Sequence, residues 1–262
     1  MTEPVILAEN LTKTFGAQAG PGRFRRARTA FTAVDGIDLS VAPGELVGYI
    51  GPNGAGKSTT IKMLTGILTP SSGRLRVAGY EPQRDRVRLA RRIGVVFGQR
   101  TTLWWDLPLA DSFTLLQRLY RIPRQRYAEN LAFYTEALGL GEFLHRPVRQ
   151  LSLGQRMRGD LTAALLHDPA VVYLDEPTIG LDVVSKHTVR GFLRDLNART
   201  GTTILLTTHD VDDIERLCSR VVAIDHGRVT YDGPLAELRA DRDLETVVRE
   251  LYTGRSLVDT TE

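Results

Sequence analysis

The sequence predicts an α/β fold, a mainly parallel β-sheet covered by helices, with an all-helical subdomain inserted into it. Two observations carry this reading. Short apolar runs (GRLRVAG, IGVVFG, AVVYLD, TTILLTT and RVVAID) alternate with helical segments, the order in which consecutive strands lie parallel. Between Leu107 and Leu166 that alternation stops, and only helical periodicity such as DSFTLLQRLY and ENLAFYTEALGL is left.

Taken in order, residues 4–15 and 31–50 run as strands (VILAENLTKTF, FTAVDGIDLSVA, ELVGYI), interrupted by the Gly/Pro/Arg segment AQAGPGRFRRAR. That insert reads as an exposed loop, and Arg23, Arg25, Arg26 and Arg28 as a solvated charge run. Past Gly51 the pattern turns helical. Arg84, Arg86, Arg88, Arg91 and Arg92 have the spacing of a solvated helix face and are read so in preference to a phosphate-backbone contact. The end, LETVVRELYTG, reads as a short amphipathic helix. Residues 1–240 are expected to form one domain, with the helical subdomain at about 100–166, followed by a C-terminal amphipathic helix and tail over 241–262.

The 262 residues, 25% charged and 42% hydrophobic, suit a folded chain with a real core and exclude disorder. No run approaches the roughly 18–20 apolar residues that a spanning helix needs, and the start MTEPVILAEN lacks the order of a signal peptide, so a cytosolic chain is expected. The single cysteine, Cys218, permits no internal disulfide. With a net charge of only +3, no nucleic-acid partner is expected. Only four basic residues are lysines, Lys13, Lys57, Lys62 and Lys186, and Lys57 sits in the strongest motif of the chain.

That motif is GPNGAGKST, residues Gly51, Pro52, Asn53, Gly54, Ala55, Gly56, Lys57, Ser58 and Thr59, which fits G-x-x-x-x-G-K-S/T between a strand (ELVGYI) and a helix (TTIKMLTG). Glycines let successive backbone N–H groups converge on phosphate oxygens, the helix N terminus adds partial positive charge, Lys57 reaches the β- and γ-phosphates and Ser58 offers a hydroxyl to Mg²⁺. AVVYLDEP supplies the acidic partner: Asp175 and Glu176 follow an apolar strand, at the sheet edge where open α/β sheets bind ligands. Asp175 is the expected magnesium ligand. Glu176, one residue further out, is placed to take a proton from an attacking water. Together these elements point to NTP hydrolysis.

Leu151-Ser152-Leu153-Gly154-Gln155 opens a helical segment twenty residues before that strand and resembles the signature LSGGQ of ABC ATPases. The chain is thus similar to ATP-binding subunits of ABC transporters over roughly residues 4–235, with further motifs in the family's order. The resemblance implies a P-loop NTPase (RecA-like) core with an antiparallel β subdomain and an inserted helical one. It assigns Phe15 to adenine stacking, Gln99 to magnesium or the attacking water, Gly180-Leu181-Asp182 to the D-loop and His209 to the γ-phosphate. It also implies that Ser152, Gly154, Gln155 and Asp182 complete the site of a second copy of the chain, so that two chains sandwich two ATP molecules. Ser152 serves equally well as the N-cap of its helix. Two positions depart from the commonest pattern: Leu153 stands for the first signature glycine, and Ile179-Gly180 precede Leu181-Asp182 in place of Ser-Ala.

Lacking a membrane segment, such a chain implies separate integral-membrane permease subunits, contacted around residues 99–107 (QRTTLWWDL), and a peripheral place at the cytoplasmic face of the cell membrane. Trp104 and Trp105 suit either partner contact or local core. The runs GQRTTLWWDLP and TIGLDVVSK look like ATPases of bacterial drug-efflux exporters. The alternative, a soluble ABC ATPase acting on nucleic acid or ribosomes, is disfavoured by a single ATPase unit and no heptad array.

Overall fold

The computed structural model describes residues 3–16, 30–97, 100–240 and 242–253. Nine strands and nine helices follow one another in these residues. The first part holds β1 (Ile6–Phe15), β2 (Phe31–Val41), β3 (Leu46–Ile50), α1 (Lys57–Leu64), β4 (Ser72–Val77), α2 (Arg86–Ala90) and β5 (Ile93–Phe97). Three longer helices come next, α3 (Leu109–Tyr120), α4 (Arg124–Ala137) and α5 (Leu153–Leu165). The last part holds β6 (Val171–Asp175), α6 (Val183–Thr200), β7 (Thr203–Thr207), α7 (Val211–Leu217), β8 (Arg220–Asp225), β9 (Arg228–Pro234), α8 (Leu235–Arg239) and α9 (Leu244–Thr253).

The central sheet has the order β5-β6-β7-β3-β8-β9, parallel throughout except for β9, which returns antiparallel beside β8. A second, three-stranded antiparallel sheet, β2-β1-β4, lies beside it. The expected mainly parallel core and antiparallel subdomain are both present. Among the described residues between β5 and β6 there are helices, a short 3₁₀ turn and isolated bridges but no strand, as the loss of alternation predicted.

The parallel strands are continuously apolar because both faces are covered, and their side chains alternate between two cores. Val172 and Leu174 of β6, Ile204 and Leu206 of β7 and Val221 of β8 join the helical insertion and α6 in one. Val171, Tyr173, Leu205 and Val222 join α1 and the antiparallel sheet in the other. The insertion is tied to the first core through Leu109, Phe113 and Leu116 of α3, spaced four and three residues apart on one helix face. α9 is buried in the same core through Leu244, Val247 and Val248. The arginines of α2 and its flanks are exposed, Arg88 pairing with the N-cap Asp85 at 3.7 Å and Arg84, in the preceding loop, with Glu81 at 3.0 Å. Among the described residues, no helix is long and apolar enough to cross a membrane.

Candidate functional site: a phosphate cleft and a separate signature edge

The chain leaves buried β3 at Gly51 and enters α1 at Lys57. A Cβ at Gly51 would run into the carbonyl oxygen of Ile224, and one at Gly56, where φ is +109°, into that of Ala33. Only glycine fits either place. No side chain caps α1, so its first amides are left for another acceptor. Ala55 is buried beneath the loop, its carbonyl accepting from Gly227 at 3.0 Å. Lys57 folds back across the loop and donates to the carbonyls of Gly51 (2.5 Å) and Pro52 (3.0 Å). Burial lowers its pKa, an effect opposed by the carboxylates of Glu176 and Asp175.

Those carboxylates sit at the end of β6. Thr207 of the neighbouring strand donates to Asp175 Oδ1 at 2.6 Å. Glu176 has φ +57°, a conformation uncommon for a residue with a side chain and concentrated at functional sites. Its Oε2 accepts the backbone N–H of His209 at 3.3 Å. The His209 Nε2 atom lies 3.1 Å from Oε1, within ion-pair reach, yet buried Oε1 has no aligned hydrogen bond among the described residues. A buried carboxylate oxygen in that state calls for a donor. Burial raises the pKa of Glu176, partly offset by the His209 N–H and by Lys57, while burial and then Lys57 lower that of His209, favouring the neutral imidazole.

A cleft of about 850 Å³ gathers these groups: Asn53, Gly54, Gly56, Lys57, Ser58 and Thr59 line one side, Asp175, Glu176 and His209 the other. A flexible ammonium, a run of glycine-freed amides and an orphaned carboxylate oxygen fit a polyphosphate and the water beside it. Among the described residues, no group of three or more His, Cys, Asp or Glu is placed to hold a metal ion by itself. Ser58 and Asp175 together are a donor set suited to Mg²⁺, which keeps waters and phosphate oxygens as its remaining ligands. Gln99 lies outside the described residues. Phe15, 41% exposed, pairs in register with Phe31 across β1 and β2, and it is Phe31 that lines the cleft, a neighbour that sequence reading missed.

The signature residues stand together elsewhere. Ser152 caps α5 in a reciprocal box, accepting from the Gln155 N–H at 3.2 Å and donating its own N–H to Gln155 Oε1 at 3.0 Å. Asp182 caps α6, accepting from the Ser185 N–H at 2.9 Å and the Ser185 hydroxyl at 2.7 Å. A side chain at Gly154 would strike Ser185. The two departures from the common pattern touch: a Cβ at Gly180, φ +72°, would come within 3.0 Å of Leu153 Cδ2. None of Ser152, Gly154, Gln155 and Asp182 lines the phosphate cleft.

Buried acids that the sequence did not single out tie these loops together. Fully buried Asp213 accepts from Thr178, from Thr208 at 2.8 Å and from Arg190 at 2.5 Å, joining the loop after Glu176 to the one before His209. Asp160 on α5 accepts from Thr101 Oγ1 at 2.9 Å and from the Thr102 N–H at 3.0 Å, gripping the segment after position 99. Burial pushes its pKa up to about 6 against those bonds. Beyond this grip Trp104 and Trp105 are 41% and 49% exposed, with Arg156 stacked 5.6 Å over Trp105.

Comparison with known proteins bears on this arrangement directly. The ABC transporter family model matches residues 34–179. The daunorubicin/doxorubicin resistance ATP-binding protein DrrA of Streptomyces peucetius is 38% identical over 224 residues, 86% of this chain and 67% of that protein. The Nod factor export ATP-binding protein I of Paraburkholderia xenovorans is 41% identical over 241 residues, 92% of this chain and 74% of that protein. A solved ATP-binding cassette, in a dimeric post-hydrolysis state bound to ADP and Pi, superposes with a TM-score of 0.75 at 25% identity, covering 88% of this chain and 98% of that one. A match that runs through the phosphate loop and the acidic pair, with relatives aligned over most of the chain, decides the assignment: the chain belongs to the ABC transporter family, as one of its ATP-binding subunits.

Proposed function

We propose that this subunit binds MgATP at loop 51–59, closes head to tail on a second copy around two ATP molecules, and hydrolyses them to drive an exporting permease. One observation supports the reading: Lys57, Glu176 and His209 line the cleft, while Ser152, Gly154 and Asp182 do not. A second copy brings its signature edge to the first copy's cleft, as a head-to-tail pair does by symmetry.

Within the closed site Lys57 swings from its loop carbonyls to the β- and γ-phosphates, and Phe15 with its neighbour Phe31 flanks the adenine. Ser58, Asp175 and Gln99 would hold Mg²⁺, whose charge would neutralise the phosphate oxygens. Glu176 accepts a proton from water as the water oxygen bonds to the γ-phosphorus; the bond to the bridging oxygen breaks and its electrons leave on ADP. His209 holds Glu176 through its backbone N–H and turns its neutral ring to the γ-phosphate.

The mechanical output passes through residues 99–107, where exposed Trp104 and Trp105 offer an aromatic anchor to integral-membrane permease subunits. The chain is then peripheral at the cytoplasmic face. Export is supported by the likeness to the drug-resistance and Nod factor export proteins. Affinity purification of the tagged chain from detergent-solubilised host membranes tests this. A stoichiometric polytopic partner, lost in Trp104→Ala/Trp105→Ala, is expected; a soluble chain that brings down nucleic acid or ribosomes would overturn the transport reading.

A further inference from the structure

α9 carries apolar residues at Leu244, Val247, Val248 and Leu251, a helical stripe whose next member is Tyr252. The stripe packs into the main core and against α7, the helix that begins just after His209. Its N terminus is fixed by Asp243, which accepts from the Thr246 N–H at 3.0 Å, and Arg242 pairs with Glu250 across it at 2.5 Å. This anchoring leaves Tyr252 against the first residue of the phosphate loop and the His209 ring. The Gly51 N–H, at the first position of the phosphate loop, donates to the Tyr252 hydroxyl at 3.3 Å. The phenol ring meets the His209 imidazole edge to face, centroids 6.3 Å apart and planes at 86°. Burial pushes the phenol's pKa up to about 12 against the Gly51 N–H, with a smaller upward push from the Glu176 charge.

We infer that Tyr252 is a positioning residue of the ATP site, its hydroxyl setting the start of the phosphate loop and its ring setting the His209 imidazole, so that α9 is a working part of the ATPase. The inference rests on the cleft being the ATP site.

Full-length chains carrying Tyr252→Phe, Tyr252→Ala and Val247→Ala decide the matter by MgATP titration, steady-state kinetics and melting. Tyr252→Phe, which keeps the ring and the packing, is expected to raise the MgATP Kd about three- to tenfold, the size of one lost hydrogen bond, with kcat within twofold. Tyr252→Ala is expected to lower kcat by about tenfold in addition and to shift the NMR signals of the His209 ring. Val247→Ala loosens the same helix away from the site; a lower Tm with Kd, kcat and His209 signals like the wild type is expected. Wild-type behaviour of Tyr252→Ala, or the same deficits in Val247→Ala, would overturn the inference. A wild-type chain that binds MgATP no better than Lys57→Ala would instead remove the reading of the cleft, and the His209 signals would still report on the contact.

Discussion

The phosphate cleft and the signature edge hold their polar groups in opposite ways. In the cleft, burial shifts Lys57 and His209 downward and Glu176 upward, Glu176 sits at a positive φ, and one of its oxygens has no aligned partner. At the edge, Ser152 with Gln155 and Asp182 with Ser185 close their hydrogen bonds on each other, and the Ser185 bonds hold exposed Asp182 below the usual carboxylate range. The cleft leaves polar groups unmatched, whereas the edge satisfies its own. The difference fits the proposed need for a second chain, since the signature edge does not line the cleft of its own chain, and it sets Gly51, where only glycine fits, apart from the edge, where Leu153 and Gly180 depart from the common pattern.

The largest effect that would sharpen this contrast is at Glu176. Glu176→Gln keeps the shape and the backbone bonds but cannot take a proton, so hydrolysis should fall about 10²- to 10⁴-fold with MgATP affinity retained. Normal turnover in a phosphate-release assay would break the assignment of the base. Next comes Asp160, whose pKa burial pushes up to about 6, above the ordinary carboxylate value. The folded chain therefore binds that proton more tightly, and the stabilisation, full below pH 4, is lost as pH rises through 6. Asp160→Asn removes this proton, so denaturant melts should show the variant gaining on wild type by on the order of 2–3 kcal/mol between pH 4 and pH 7. A constant gap would mean that the Thr101 and Thr102 donors keep Asp160 ionised throughout.

The smallest expected effect probes the edge. Gly180→Ala should cost about 1–2 kcal/mol, from its positive φ and from contact with Leu153. With Leu153→Gly in the same chain only the φ part is left, leaving a coupling of about 0.5–1 kcal/mol in a double-mutant cycle. Additive losses would show that the two departures are independent.

Much of this was legible in the sequence because it is local. GPNGAGKST and AVVYLDEP each place a complete chemical unit on a strand end, and strand alternation with its break after Leu107 carried the core and the insertion. β9 escaped because RVTYDGP has no buried side chain and alternates between half-buried and exposed. The antiparallel sheet was available only through family resemblance, since a strand's own pattern does not name its partner. Asp160, Asp213 and Tyr252 were hidden for one reason: their roles lie in contacts with remote residues. Asp160 meets Thr101 from 59 positions away, Asp213 meets Thr178 from 35, and Tyr252 meets Gly51 from 201. In sequence Asp213 is one acid of the run DVDDIE, and nothing there shows that Arg190 and two threonines bury it.

The central claim is that cleft and edge are halves supplied by different copies, and complementation tests it most directly. Ser152→Arg and Lys57→Ala chains should each be inactive alone, one lacking the edge and the other the cleft. Mixed in equal amounts, they should recover about a quarter of the wild-type ATPase rate, because half of the dimers form as mixed pairs with one intact composite site. A Ser152→Arg chain with full activity, or a mixture no more active than its parts, would contradict the claim.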